Sequence, residues 1–105
     1  MQSELLGFLG LMRRAGKLAA GETGTGKAAR AGQAKLILLA SDASENARDR
    51  AEGFAKTAGV RLVHLEEDKE SLSRAIGVQG GAMFAVCDGG FADALLKKLG
   101  QNGKQ

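Results

Sequence analysis

Apolar residues recur along this chain with two periods in turn, and the alternation predicts its architecture. Leu5, Phe8, Leu9, Met12 and Ala15 follow helical spacing, so Ser3 to about Ala15 reads as an amphipathic helix capped by Ser3 and ended by Gly16. Lys17–Ala20 reads as a short strand. A second helix is expected from about Gly24 to Ala31, stopping at Gly32. Leu36–Ala40 is an unbroken apolar run of strand length, the pattern of a strand covered on both faces. Ser44 then caps a long helix with Ala47, Ala51, Phe54, Ala55 and Ala58 as its buried stripe. Arg48 and Glu52 stand four residues apart on its outer side, and Gly59 closes it.

The second half repeats the rhythm. Leu62–Leu65 reads as a short strand, Asp68–Ile76 as a short helix begun by acids, Gly77–Gly81 as a loop, and Ala82–Cys87 as a buried strand. A last helix follows Asp88, with Phe91, Ala94, Leu95 and Leu99 inward. Lys97 and Lys98 sit near its C-terminus, where the helix dipole favours cations. Strands alternating with helices predict an α/β chain: a three-layer α-β-α sandwich around a small mixed four-stranded sheet. One domain is expected over residues 1–100, with a loose polar tail at 101–105.

Composition narrows the function classes. With 105 residues the chain has room for one domain and a real core, and 44% hydrophobic with 26% charged residues is ordinary for a globular protein. Sixteen glycines and no proline point to tight turns and close backbone approaches. One cysteine, Cys87, excludes an internal disulfide and a cysteine-rich zinc site. No apolar run is long enough to cross a membrane, and Glu4 with no basic residues ahead of the first apolar stretch argues against a secretory signal. A cytoplasmic home is the expectation. The net charge of +3 is unevenly spread: residues 1–35 carry six basic residues (Arg13, Arg14, Lys17, Lys27, Arg30, Lys35) against Glu4 and Glu22, whereas residues 36–70 carry five basic and eight acidic. That asymmetry favours an anionic partner at the first third.

Within it, Gly21-Glu22-Thr23-Gly24-Thr25-Gly26-Lys27 spells G-x-x-x-x-G-K, the body of a phosphate-binding loop. The next residue should carry a hydroxyl for magnesium, and it is Ala28. No robust apolar strand precedes the motif either, so Asp42 after the Leu36–Ala40 run does not rescue a nucleotide-hydrolysing reading. The same glycine-rich helix entrance can hold an anion without chemistry, through backbone N–H groups and the point charge of Lys27. A turn joining strand to helix is the plain alternative.

Other candidates read as structural. His64 has no second histidine to work with and is expected partly buried in its strand. Cys87 ends a buried run and behaves as a small hydrophobe. Glu66, Glu67, Asp68 and Glu70 form a solvated acidic helix start, and Asp42 and Ser44 are explained by capping. The Gly77–Gly81 loop offers Val78 and Gln79, which can lie against an unstacked base. Four Phe with no Trp or Tyr exclude an extended stacking platform.

Three blocks then fall at familiar spacing: GLMRRAGKL at 10–18, GQAKLILLASDASEN at 32–46 and LSRAIG at 72–77. Together they resemble the ribosomal-protein family of kink-turn binders, the L-seven-Ae type, and most closely its small bacterial YlxQ-like branch. The resemblance covers residues 4–96 and implies an α-β-α sandwich. It also implies RNA binding through the start of the second helix, matched here by Gly21 and Lys27. The second element it implies is the loop after the LSRAIG block, where Val78–Gly81 would cover an extruded nucleotide. Where strong kink-turn binders carry Asn-Glu to read sheared G·A pairs, this chain carries Thr23-Gly24, which leaves phosphate positioning intact and weakens base readout.

The sequence therefore predicts a non-catalytic RNA-binding protein of the ribosome and translation machinery, without cofactor, metal or membrane. Arg13, Arg14, Lys17, Gly21, Thr23, Gly24, Lys27, Val78, Gln79, Gly80 and Gly81 are its expected RNA contacts. Structured RNA, ribosomal or kink-turn-like, is the expected partner of a monomer, with ribosomal proteins as further partners. A protein-interaction module with a decayed RNA site is the alternative, and a nucleotide-binding protein the remoter one.

Overall fold

The computed structural model of the protein describes residues 3–79 and 81–100. Gly80, the side chain of Ser3 with its expected cap, and the expected tail at 101–105 lie outside the described residues. The elements run α1 (Ser3–Arg14), β1 (Leu18–Ala20), α2 (Gly21–Arg30), β2 (Leu36–Leu39), α3 (Glu45–Ala58), β3 (Leu62–His64), α4 (Lys69–Ile76), β4 (Met83–Val86) and α5 (Gly89–Lys98). The four strands form one mixed sheet in the order β1-β4-β2-β3, with β4 antiparallel to both β1 and β2, and β2 parallel to β3.

Strand alternation divides the apolar residues between two faces. On one face Leu18, Leu36, Leu38, Val63, Phe84 and Val86 meet Leu5, Leu9 and Met12 of α1, Leu72 and Ile76 of α4, and Ala92 and Leu95 of α5. On the other, Ile37, Leu39, Met83 and Ala85 meet Ala28 of α2 and Ala51 and Ala55 of α3. The result is the expected α-β-α sandwich, with three helices on one side and two on the other. Phe84, fully buried on the central strand β4, is the largest core side chain. Truncating it to alanine would cost on the order of 3–5 kcal/mol.

Most helix ends follow the predicted chemistry. Ser44 Oγ accepts from Ala47 N–H at 3.1 Å, and Asp88 Oδ2 from Phe91 N–H at 2.9 Å. Asp68 Oδ1 accepts from Ser71 N–H at 2.8 Å. Gly16, Gly32, Gly59 and Gly77 all take positive φ where a helix stops. Asp42 departs from expectation. It does not cap α3 but accepts the N–H of Lys69 at 2.9 Å, tying the β2–α3 loop to the start of α4.

Three further corrections concern exposure and boundaries. His64 lies on the edge strand β3 and is exposed, not partly buried. Glu67, expected in water, is buried at 8% exposure, where its carbonyl accepts from Ser41 N–H at 2.9 Å. Cys87 stands one residue past β4 and is half-buried, so it is only partly the enclosed hydrophobe expected.

The main difference lies in residues 21–27. The glycine-rich stretch is not a loop before a helix: α2 begins at Gly21, immediately after β1. Gly21 has φ +83°, the left-handed value that turns the strand directly into the helix. The remaining glycines give close approach. At Gly26 a Cβ would lie 2.8 Å from Phe54 Cζ, so the bare backbone is what lets α3 sit against α2.

Candidate nucleic-acid interface

The directions of the strands decide which predicted residues can act together. Because β4 opposes β1 and β2, the start of β4 lies at the same end of the sheet as the ends of β1, β2 and β3. The start of α2 and the α4–β4 loop therefore meet. A Cβ at Gly81 would lie 3.5 Å from the backbone nitrogen of Gly21. Gly81 itself is buried, and its N–H reaches Ser73 Oγ at 3.3 Å, which pins the loop to α4.

Down the outer side of α2, Thr23, Lys27 and Arg30 are exposed in one line at i, i+4 and i+7, while Thr25, Gly26, Ala28 and Ala29 face the interior. Gly24 is half-buried and rests 3.7 Å, measured from an added Cβ, off Ala19 Cβ. Glu22, in the first turn, turns toward α3 and pairs with Arg50 at 2.8 Å. Thr25 Oγ1 is fully buried, and it has no hydrogen-bond partner among the described residues.

The α4–β4 loop is less free than its composition suggests. Gly77 takes φ +84°, and the N–H groups of both Gly77 and Val78 donate to Ser73 O at 2.8 and 3.1 Å. That arrangement turns Val78 back onto the core as the apolar contact that accompanies a helix stop. The remaining side of Val78 faces an open hollow of about 590 Å³, walled by Asp42, Lys69, Glu70, Ser73, Arg74 and Gln79. Ser73 is a residue that sequence reasoning passed over. Its role depends on a hydrogen bond across eight residues, for which no local pattern exists.

Arg13, Arg14 and Lys17 do not join this surface. They close α1 and precede β1, at the opposite end of the sheet. Four residue steps of extended chain carry the backbone from Lys17 to Gly21, about 13 Å. Arg14 folds back along its helix toward Gly10, where an added Cβ would lie 3.6 Å from its Nη1 and 3.1 Å from Ala75 O. The first third of the chain carries the charge, but the fold splits it between two ends.

Among the described residues, no helix is long and apolar enough to span a membrane and no group of His, Cys, Asp and Glu side chains is gathered for a metal. The helical state of residues 21–27 also removes the nucleotide-loop geometry, because the N–H groups past the first turn are held within the helix.

Residues 3–95 match the family described as ribosomal protein L7Ae/L30e/S12e/Gadd45. The chain belongs to that family. Its relatives include the RNA-binding protein YlxQ of Bacillus subtilis, 36% identical over 92 residues, which span 88% of this chain and 91% of the relative. The RNA-binding protein YlxQ of Enterococcus faecium is 32% identical over 91 residues, 87% of this chain and 86% of the relative. Among solved structures, a Bacillus halodurans protein of unknown function superposes with a TM-score of 0.78 at 30% identity, covering 88% of this chain and 92% of that one. The Giardia lamblia 15.5kD RNA binding protein superposes with a TM-score of 0.71 at 19% identity, covering 95% and 85%, a likeness of fold. The resemblance drawn from the three sequence blocks thus stands at the level of family and of the YlxQ branch.

Proposed function

We propose that this family member is a non-catalytic RNA-binding protein of the translation machinery that receives RNA where the start of α2 meets the α4–β4 loop. The observation that carries the reading is the approach of Gly81 to Gly21, which makes two distant segments one surface. The names of the YlxQ relatives support RNA as the partner. At this surface the unpaired N–H groups of the first turn of α2 face an incoming phosphate with the positive end of the helix dipole. Thr23 adds a hydroxyl and Lys27 a charge one turn further down the same face. Val78 and Gln79 border a hollow with room for a base turned out of its stack.

On this reading Thr23-Gly24 weakens base readout where stronger binders carry Asn-Glu, and backbone contacts dominate. The double substitution Thr23→Asn with Gly24→Glu tests it. Filter binding to a kink-turn RNA should tighten in the double variant, and wild-type affinity should fall steeply with salt. No affinity for structured RNA at low salt would sink the proposal. Binding that ignores the double substitution would retain RNA as partner and reject the kink-turn readout.

A further inference from the structure

The loops at the two ends of the sheet have opposite charge. At the end shared by the start of α2 and the α4–β4 loop, the connections at 40–44, 65–68 and 77–82 hold four acids (Asp42, Glu66, Glu67, Asp68) and no Lys or Arg. At the other end, the connections at 15–17, 31–35, 59–61 and 87–88 hold Lys17, Lys35 and Arg61 against Asp88 alone. Asp88 is engaged as the cap of α5. The last turns of α1, α2 and α3 add Arg13, Arg30 and Lys56 to this end, whereas α4 brings Lys69 and Arg74, with Glu70, to the other.

The basic end is also concave. Gly16, Lys17, Gly32, Gln33, Lys35 and Cys87 line a mostly polar cleft of about 340 Å³. Its two lysines are placed by the sheet. Lys17 O accepts from Cys87 N–H at 2.8 Å, and Lys35 N–H donates to Val86 O at 2.7 Å, so the lysines flank the end of β4 from β1 and from β2. Two strand spacings put their backbones about 10 Å apart, within reach of one phosphate between two flexible stems. Gly16 and Gly32 leave the rim without side chains. The three ion pairs among the described residues, Glu22–Arg50, Glu70–Arg74 and Glu4–Lys98, involve neither lysine.

We propose that this cleft is a second RNA site, in which Lys17 and Lys35 clasp a backbone phosphodiester and Gln33 offers a neutral donor, so that the protein holds RNA at both ends of its sheet. RNA as the ligand rests on the proposed function; the cleft and its charge do not. Two lysines over one polar hollow, neither engaged in those ion pairs, make an anion site. A phosphodiester strand suits a cleft open along a row of strand ends better than a compact anion does.

Cys87, the chain's single cysteine, reports on the cleft it lines. Its alkylation by iodoacetamide at low salt would be timed with a short oligouridylate, with a kink-turn RNA and with inorganic phosphate. Filter binding of both RNAs would be measured beside it. Oligouridylate is expected to slow alkylation several-fold. The Lys17→Gln/Lys35→Gln variant should lose that protection, and the salt slope of its oligouridylate binding should fall by about 1.4. Lys27→Gln should leave the protection in place. Kink-turn RNA binding with Cys87 reacting freely under both RNAs would overturn the second site and spare the proposed function. Binding of neither RNA would overturn both. Equal protection by inorganic phosphate alone, or by polyglutamate, would assign the cleft to a free anion or an acidic protein and reject RNA there.

Discussion

Two glycines of α2, two residues apart, should answer oppositely to the same substitution. Replacing a helical glycine with alanine restores about 1 kcal/mol of helix propensity. At Gly24 the new methyl would meet Ala19 Cβ at 3.7 Å, an ordinary contact, so Gly24→Ala should stabilise the protein by about 0.5–1 kcal/mol. At Gly26 the methyl would fall 2.8 Å from Phe54 Cζ and 3.0 Å from Cε1. Forcing the ring and α3 outward costs about 1–3 kcal/mol, which outweighs the propensity gain and leaves a net loss near 1 kcal/mol. The two variants should differ by roughly 2 kcal/mol, on the order of 10 °C in Tm for a chain of this size. Urea and thermal denaturation followed by far-UV circular dichroism measure the difference. In a Phe54→Leu background, which removes the ring tip, Gly26→Ala should recover most of its propensity gain. Equal stabilisation by both alanines in the wild-type background would refute the claim that Gly26 is bare to seat Phe54.

Other residues give simpler tests. Thr25→Val removes a buried hydroxyl with no partner among the described residues and should raise stability by about 1 kcal/mol in urea titration; a loss would reveal a partner for the hydroxyl. The backbone and side chain of Ser71 hydrogen-bond Asp68 and hold its carboxyl below the ordinary 3.8, so its contribution is complete above that pH and is lost as pH falls through the lower folded value. Asp68→Ala should therefore lower Tm at neutral pH and flatten its acid-side decline. Breaking the Glu22–Arg50 pair by Arg50→Ala should shift stability by less than about 1 kcal/mol, since the Glu22 side chain is 49% and that of Arg50 61% exposed. Burial pushes the Cys87 thiol up, against smaller opposing effects of a backbone hydrogen bond to Ala19 and of Lys17 and Lys35, so RNA-free alkylation should be slower than that of an unstructured thiol.

The layers were readable because period and burial agree. In β2, Leu36 and Leu38 face one core while Ile37 and Leu39 face the other, and an uninterrupted apolar run is how a doubly covered strand must read. The state of residues 21–27 was not readable in the same way. Three glycines in seven residues oppose helix formation locally, and the likeness to a nucleotide loop reinforces that impression. What makes the stretch helical is tertiary: Thr25, Gly26, Ala28 and Ala29 are buried between the sheet and α3, and the small residues permit that approach. The grouping of the cations failed for a topological reason. Between Lys17 and Gly21 the strand β1 carries the chain from one end of the sheet to the other, so Arg13 and Lys17 are neighbours of Gly21 in sequence and lie across the sheet from it.

That separation bears on how RNA would be held. At physiological salt charges are screened over about 8 Å, and the roughly 13 Å between Lys17 and Gly21 exceeds that length. The basic end therefore contributes little to the potential at the start of α2, and the acids beyond β3, three strand spacings from the end of β1, are screened from it in the same way. Binding there has to rest on short-range contacts, namely backbone N–H groups, Thr23, and Lys27 about 9 Å along the helix from Gly21. Long-range attraction belongs to the cleft of Lys17 and Lys35. If both proposals hold, one end of the sheet would capture RNA and the other would hold it by short-range contacts. The expected signature is kinetic: neutralising Lys17 and Lys35 should slow association and flatten its salt dependence, whereas changes at Thr23 and Gly24 should alter dissociation. Stopped-flow measurements that found both pairs acting on the same rate constant would contradict this division.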